Sequence, residues 1–190
     1  MFAPDGKRIH AIGGEETQVS FTPEHASDMF NAVVTHNHPA GWKYTDDDTR
    51  HAGNSFSFED LDVFTRYGIK QMRVVSPRYR FIMTAPEIHQ DESLRKANAS
   101  LLRHRWEKIK SETRAKWWDL INAAPDAKAQ QRVVEQAESR TAHEQSQAVA
   151  KAMGWKYEAI HIPGSGKDHL SEQYTPVEAR ADVADLQPSL

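Results

Sequence analysis

The sequence predicts an α/β fold that runs on into a long helical hairpin, and three observations carry this. Residues 33–38, 69–75 and 79–84 are short runs of β-branched and aromatic residues bounded by Gly or Pro, as strands are. Residues 22–31 and 58–67 lie between strand-like runs and open with helix-start residues. Beyond residue 91, Leu102, Trp106, Ile109, Thr113, Trp117, Leu120 and Ile121 recur at threes and fours, the stripe of an amphipathic helix.

The elements follow in order. Asp5-Gly6 marks a turn. Residues 7–12 are expected as a strand, Gly13-Gly14 as a turn and 17–21 as a returning strand. Thr22-Pro23-Glu24 starts a helix to about Asn31: Thr22 caps, Pro23 suits the first helical position, and Glu24 meets the positive end of the dipole. Residues 41–54, with Trp42, Tyr44, Asp46-Asp47-Asp48, Arg50 and His51, lack periodicity and are expected as a loop, either a flap over a site or, the preferred reading, a solvated insertion. The three aspartates are expected to be solvated rather than a second metal site. Phe58, Leu61, Val63 and Phe64 have helical spacing, with Gly68 at the C-cap. Ala123-Ala124-Pro125-Asp126 breaks the long helix. A second helix over 127–153 carries a small-residue stripe of Val134, Ala137, Thr141 and Ala148, and Gly154 ends it. Residues 155–162 read as a last strand, whose return to the sheet edge would make the hairpin an insertion within one fold. The expected division is therefore 1–87 for the core, 88–162 for the hairpin and returning strand, and 163–190 for a flexible tail.

Composition limits the function classes. A chain of 190 residues suggests one domain, or one with an appendage. The hydrophobic share of 38% against 27% charged residues implies a modest core with a wet periphery. A net charge of −3 argues against wholesale coating of nucleic acid. The absence of cysteine excludes disulfides and thiolate metal sites and fits a reducing compartment. No run is long and apolar enough to cross a membrane, and the first residues lack the apolar segment of a secretory signal. A cytoplasmic location is the expectation.

Chemistry concentrates at Val33-Val34-Thr35-His36-Asn37-His38-Pro39-Ala40-Gly41, with Ser55-Phe56-Ser57-Phe58-Glu59-Asp60. Alternation on a strand puts His36 and His38 on one face, where two imidazoles can grip one metal ion. Pro39 ends the strand and Gly41 lets the chain turn away. Ser57-x-x-Asp60 opens the next helix and brings a carboxylate to the same point. Taken singly, a His-x-His is more often structural, and a Ser-x-x-Asp is an ordinary capping box. Together they favour a metal centre of two His and one carboxylate, with a fourth position left for water, the form of a catalytic zinc site.

These residues also carry a resemblance. Thr-His-Asn-His-Pro-Ala-Gly followed by Ser-Phe-Glu-Asp resembles the metal motif of the JAB/MPN (JAMM) domain, His-x-His-Pro then Ser-x-x-Asp, and is nearest the RadC-like and phage-associated members. The resemblance spans about residues 2–86. It implies a mixed sheet with flanking helices, zinc held by His36, His38 and Asp60, Ser57 as the motif serine, and hydrolysis of peptide or isopeptide bonds with an upstream Glu as general base. Two departures stand out: 40–54 is long, and the family's Glu lies ahead of the first hairpin, a point after which this chain is expected to begin. Glu15, Glu16 or Glu24 would have to substitute, and Glu16 is the expected base.

Other signals carry less. Gly164-Ser165-Gly166-Lys167 is not a phosphate-binding loop, because His161 stands at its first glycine and Asp168 at its Ser/Thr. His161 is expected to have a structural role rather than to approach the metal. Arg103, Arg105, Lys108, Lys110, Arg114 and Lys116 flank Trp106 and Trp117 and could track a phosphate backbone, but the tryptophans lie in the apolar stripe, so a solvated face over packed rings is expected. His-Asn-His on a single strand does not fit an HNH nuclease. The expected function is a zinc hydrolase acting on a protein or peptide substrate, with zinc activating water and Ser57 stabilising the oxyanion. The alternative is an inactive JAB/MPN-like interaction module in a phage or bacterial assembly. A DNA-associated role rests on fold analogy alone.

Overall fold

The computed structural model describes residues 1–13, 21–86 and 91–171. Its elements are α1 (Pro23–Asp28), β1 (Val33–Asn37), two short 3-10 helices (Pro39–Lys43 and Thr49–Ala52), α2 (Phe58–Arg66), β2 (Gln71–Val75), β3 (Tyr79–Thr84), α3 (Glu92–Ala123), α4 (Ala127–Met153) and β4 (Lys156–His161). The strands form one mixed sheet in the order β1-β2-β3-β4. β1 and β2 are parallel, joined through α2, and the other two pairs are antiparallel. β4 returns to the free edge of β3, so the hairpin is inserted between two paired strands of one sheet, as anticipated.

The sheet has a covered face and an open one. Val34, Met72, Val74, Tyr79, Phe81 and Met83 alternate inward and are buried with Leu61 and Phe64 of α2, Leu102, Trp106 and Ile109 of α3, and Val149 and Ala150 of α4. Thr35, Arg73, Arg80 and Lys156 point outward and are exposed. That alternation is the pattern of a sheet packed on one side.

The helix ends follow their capping residues. Thr22 accepts from the His25 backbone N–H, and Pro23 follows it. α1 stops at Asp28, shorter than expected, and Asn31 turns the chain with φ 58°. Asp91 and Asp126 cap α3 and α4. Gly154, at φ 71°, closes α4 in the left-handed conformation that favours glycine. The α3 stripe is buried from Ala99 through Trp117 as its spacing required, while Leu120 and Ile121 are half-buried. Trp118, outside the stripe, is the exposed tryptophan of this helix.

Two of the expected features need correction. Residues 7–12 do not form a strand. The Asp5-Gly6 turn instead sets Phe2 opposite Arg8, and Phe2 also bridges Val33, so it is Phe2 that borders β1. The returning strand at 17–21 falls, but for Phe21, outside the described residues. On α4 the expected stripe of Val134, Ala137, Thr141 and Ala148 is only half-buried, whereas Ala129, Val133, Ser146, Val149 and Ala150 are buried. The helix packs on α3, on β4 and on the second 3-10 helix, so its burial spreads over two flanks instead of one stripe.

The stretch 41–54 is neither unstructured nor a free insertion. Its two 3-10 turns pack back to back, and a Cβ on Gly41 would come within 2.9 Å of the Gly53 backbone. Close approach, not turn conformation, requires that glycine. The Ser76 hydroxyl, in the β2–β3 turn, donates to the Ala52 carbonyl at 2.6 Å, and Arg50 reaches Glu138 of α4 at 3.6 Å. The three aspartates have local tasks: Asp46 lies 3.2 Å from His51, Asp47 accepts from Thr45, and Asp48 caps the second 3-10 helix and holds Arg50.

Candidate metal centre

β1 and the first turn of α2 meet at one point. The strand ends at Asn37, but His38 keeps extended torsions and its N–H still donates to the Val75 carbonyl, so the alternation continues and both histidines face the same way. On α2, Ser57 is the N-cap and Asp60 the third helical residue. Asp60 Oδ2 accepts from the Ser57 N–H and from the Ser57 hydroxyl, both at 2.8 Å, while the Asp60 N–H donates back to Ser57 Oγ at 3.1 Å. This reciprocal capping box fixes the carboxylate and leaves Oδ1 free to turn toward the histidines.

The three side chains converge. His36 Nε2 and His38 Nε2 are 3.1 Å apart. His36 Nε2 lies 3.1 Å from Asp60 Oδ1, and His38 Nε2 lies 3.2 Å from Asp60 Oδ2. All three side chains are partly buried. Ligand atoms held at 2.0–2.1 Å in a tetrahedron would stand about 3.3 Å from one another, so the spacing is close to that of a metal centre. Among the described residues, this is the one group of three or more such side chains close enough to share an ion.

Hydrogen bonding determines which atoms face the centre. His38 Nδ1 lies 3.0 Å from the Asn54 carbonyl, an acceptor, so Nδ1 carries the proton and the neutral ring turns a bare Nε2 inward. Nε2 then faces the Asp60 carboxylate and a second imidazole, a setting that a cation or a shared proton would satisfy. The titration directions agree. Burial alone would raise the Asp60 pKa, but hydrogen bonds from His36 and His38 and their charge hold it far below the usual carboxylate range. For His38, burial works to lower the pKa, and it is outweighed by the hydrogen bond and charge of Asp60 and by the Asn54 and Ser55 backbone, so the net shift is upward. The group can hold a metal ion.

The other candidate residues are placed as follows. Glu15 and Glu16 lie outside the described residues. Of the remaining acids ahead of β1, Asp28 is paired with His10 at 2.7 Å, Asp5 accepts from the Lys7 N–H, and Glu24 sits in the first turn of α1. Ser57 gives its hydroxyl hydrogen to Asp60, so its role in this arrangement is to hold a ligand. His161 ends β4, three strand spacings or about 14 Å from β1; it packs against the Tyr79 ring and lies 3.4 Å from Ser165 Oγ, a structural role as expected. Trp106 and Trp117 are buried, so they offer no stacking platform.

Sequence reasoning missed the shell behind the ligands. Asn54 orients His38 through a backbone carbonyl, and Ser55 Oγ meets the Tyr157 hydroxyl of β4 at 2.9 Å. The first involves no side chain, and the second joins residues 102 apart. Trp155 and Tyr157, aromatic residues two apart at the last strand and both packed against the core, were the available signal. A cleft of about 350 Å³ is lined by Ala40, Lys43, Tyr44, Arg50, Asn54 and Glu138; it shares Asn54 with the surroundings of His38, and none of the three converging side chains lines it. Among the described residues, no helix is long and apolar enough to cross a membrane. Compared with known proteins, the chain matches no family model, no curated protein and no solved structure.

Proposed function

We propose that this protein is a zinc-dependent hydrolase of peptide or isopeptide bonds, of JAB/MPN type. The observation that supports it most is the convergence of His36 Nε2, His38 Nε2 and the Asp60 carboxylate within 3.1–3.2 Å of one another. Two imidazoles and one carboxylate suit zinc, which accepts nitrogen and oxygen ligands, and three protein ligands leave room for water. Bound there, the metal supplies Lewis-acid chemistry, making a water more acidic and a carbonyl more electrophilic. The chain's own residues do the rest. Asn54 fixes the tautomer of His38, and Ser57 locks the Asp60 carboxylate, so the ligand set is organised before the ion arrives. The cleft lined by Ala40, Lys43 and Asn54, whose carbonyl meets His38 Nδ1, is the proposed seat for a substrate chain. A carboxylate must take the proton of the attacking water, and Glu16 is the residue proposed for it.

A second reading, an inactive JAB/MPN-like interaction module, draws on a specific observation. Asp28 and Asp5, among the described acids ahead of β1, are engaged elsewhere, by His10 and by the Lys7 backbone. The two readings separate in one experiment. Zinc-loaded protein is assayed against peptide and isopeptide-linked substrates, with Glu16→Gln alongside. Hydrolysis that a chelator stops, that zinc restores and that Glu16→Gln abolishes without loss of bound zinc supports the enzyme. Zinc-loaded protein that cleaves none of the substrates would overturn it in favour of the interaction module.

A further inference from the structure

We propose that Tyr157, steered by His143, is a positioning residue for the metal centre, acting through the segment 54–57. This rests on the metal-site reading given above. The segment is four residues long and nearly every residue has a separate task. The Asn54 carbonyl accepts from His38, and Ser57 caps α2 and holds Asp60. Between them, Ser55 and Phe56 face inward, each 1% exposed. Ser55 Oγ meets the Tyr157 hydroxyl at 2.9 Å, and the Phe56 ring lies edge-on to the Tyr157 ring at 6.3 Å. One side chain of the last strand therefore anchors the stretch that aims two of the three ligands.

Tyr157 is itself held. Its hydroxyl lies 2.9 Å from His143 Nδ1, on α4. Burial pushes the Tyr157 pKa upward, so the phenol keeps its proton. Burial, and then the charge of Arg140, lower the pKa of His143, so its ring is neutral at neutral pH. Three neutral polar groups, Ser55, Tyr157 and His143, thus satisfy one another in a partly buried chain, and deleting the middle hydroxyl removes a hydrogen bond from each of the other two. The hairpin that carries His143 and delivers β4 to the sheet is in this way connected to the metal ligands through hydrogen bonds and ring packing.

Cobalt(II) titration of the full chain tests this, because Co(II) reports both affinity and ligand geometry through its visible absorption. Wild-type protein is expected to take up about one equivalent. Tyr157→Phe keeps the ring and Ser55→Ala removes the partner; each is expected to weaken Co(II) binding roughly tenfold, as loss of support behind a metal ligand does, and to shift the absorption of the loaded protein. The double variant should be no weaker than the weaker single one, since both remove the same link. Val133→Ala, in the buried seam of α4, is expected to lower the melting temperature and leave Co(II) affinity and spectrum unchanged. Should Tyr157→Phe fail to fold, Ser55→Ala alone carries the same readout. Wild-type affinity and spectrum in both single variants, or losses that add in the double variant, overturn the positioning role and leave the metal site standing. A wild-type protein that takes up no Co(II) overturns the metal site, and the positioning role with it.

Discussion

The candidate metal centre and the helical hairpin are built by opposite means. The ligands are all drawn from residues 36–60, and local rules place them: alternation sets His36 beside His38, and a capping box sets Asp60. The hairpin contributes no ligand, and its role depends on residues far apart in the chain, Trp106 against Phe58 with ring centroids 5.8 Å apart and Tyr157 against Ser55 across 102 residues. The comparison teaches that a site whose ligands are local still depends on long-range packing for its rigidity. The ligands converge because the strand and the helix N-terminus meet, and the core closed by α3 and α4 keeps them there.

The largest expected effect lies in the hairpin. Trp106 is 7% exposed and packs on Phe58 at the start of α2, so Trp106→Ala should cost about 3–5 kcal/mol of stability in denaturant unfolding. An unchanged midpoint would mean that the hairpin does not brace the site and would remove one side of the comparison. Next comes Ser57→Ala. It deletes an N-cap, worth about 1 kcal/mol, and one of the two hydrogen bonds that Ser57 makes to Asp60 Oδ2. The expected result is a small loss of stability together with a roughly tenfold loss of zinc affinity. If both changed only as a cap predicts, Ser57 would be a helix residue and nothing more.

The pH dependence is smaller and sharpens the local side. In metal-free protein the depressed Asp60 contributes stability above its unfolded value of about 3.9, and that contribution is lost as pH falls. The raised His38 contributes stability below its unfolded value of about 6.5, and that contribution is lost as pH rises through its folded value. Metal-free protein should therefore be most stable between about pH 4 and 6.5 with respect to this pair. Zinc needs His38 neutral, so the gain in melting temperature on adding zinc should grow from pH 5.5 to pH 8. A gain independent of pH would argue against His38 as a ligand.

Legibility in the sequence divides along the same line. The strand with His36 and His38, the capping box of Ser57 and Asp60, the α3 stripe and the returning strand were all readable, because each depends on spacing within a few residues or on a strong apolar period. The packed form of 41–54 was not, because its order comes from Gly41 against Gly53 and from Ser76 reaching Ala52, contacts that leave no periodic trace. The buried face of α4 was misjudged because several neighbours share it. Phe2 was overlooked because a single bridged residue has no pattern to read. The Asn54 carbonyl could not be inferred from residue type, since any residue carries one.

The central claim is that His36, His38 and Asp60 form one metal centre. The most direct measurement is the zinc content of purified, folded protein, compared with His38→Ala and Asp60→Ala, with circular dichroism confirming that each variant keeps its fold. The account predicts about one zinc per chain in the wild type, as a single three-ligand site allows, and close to none in either variant. Zinc bound equally by the wild type and both variants would contradict it.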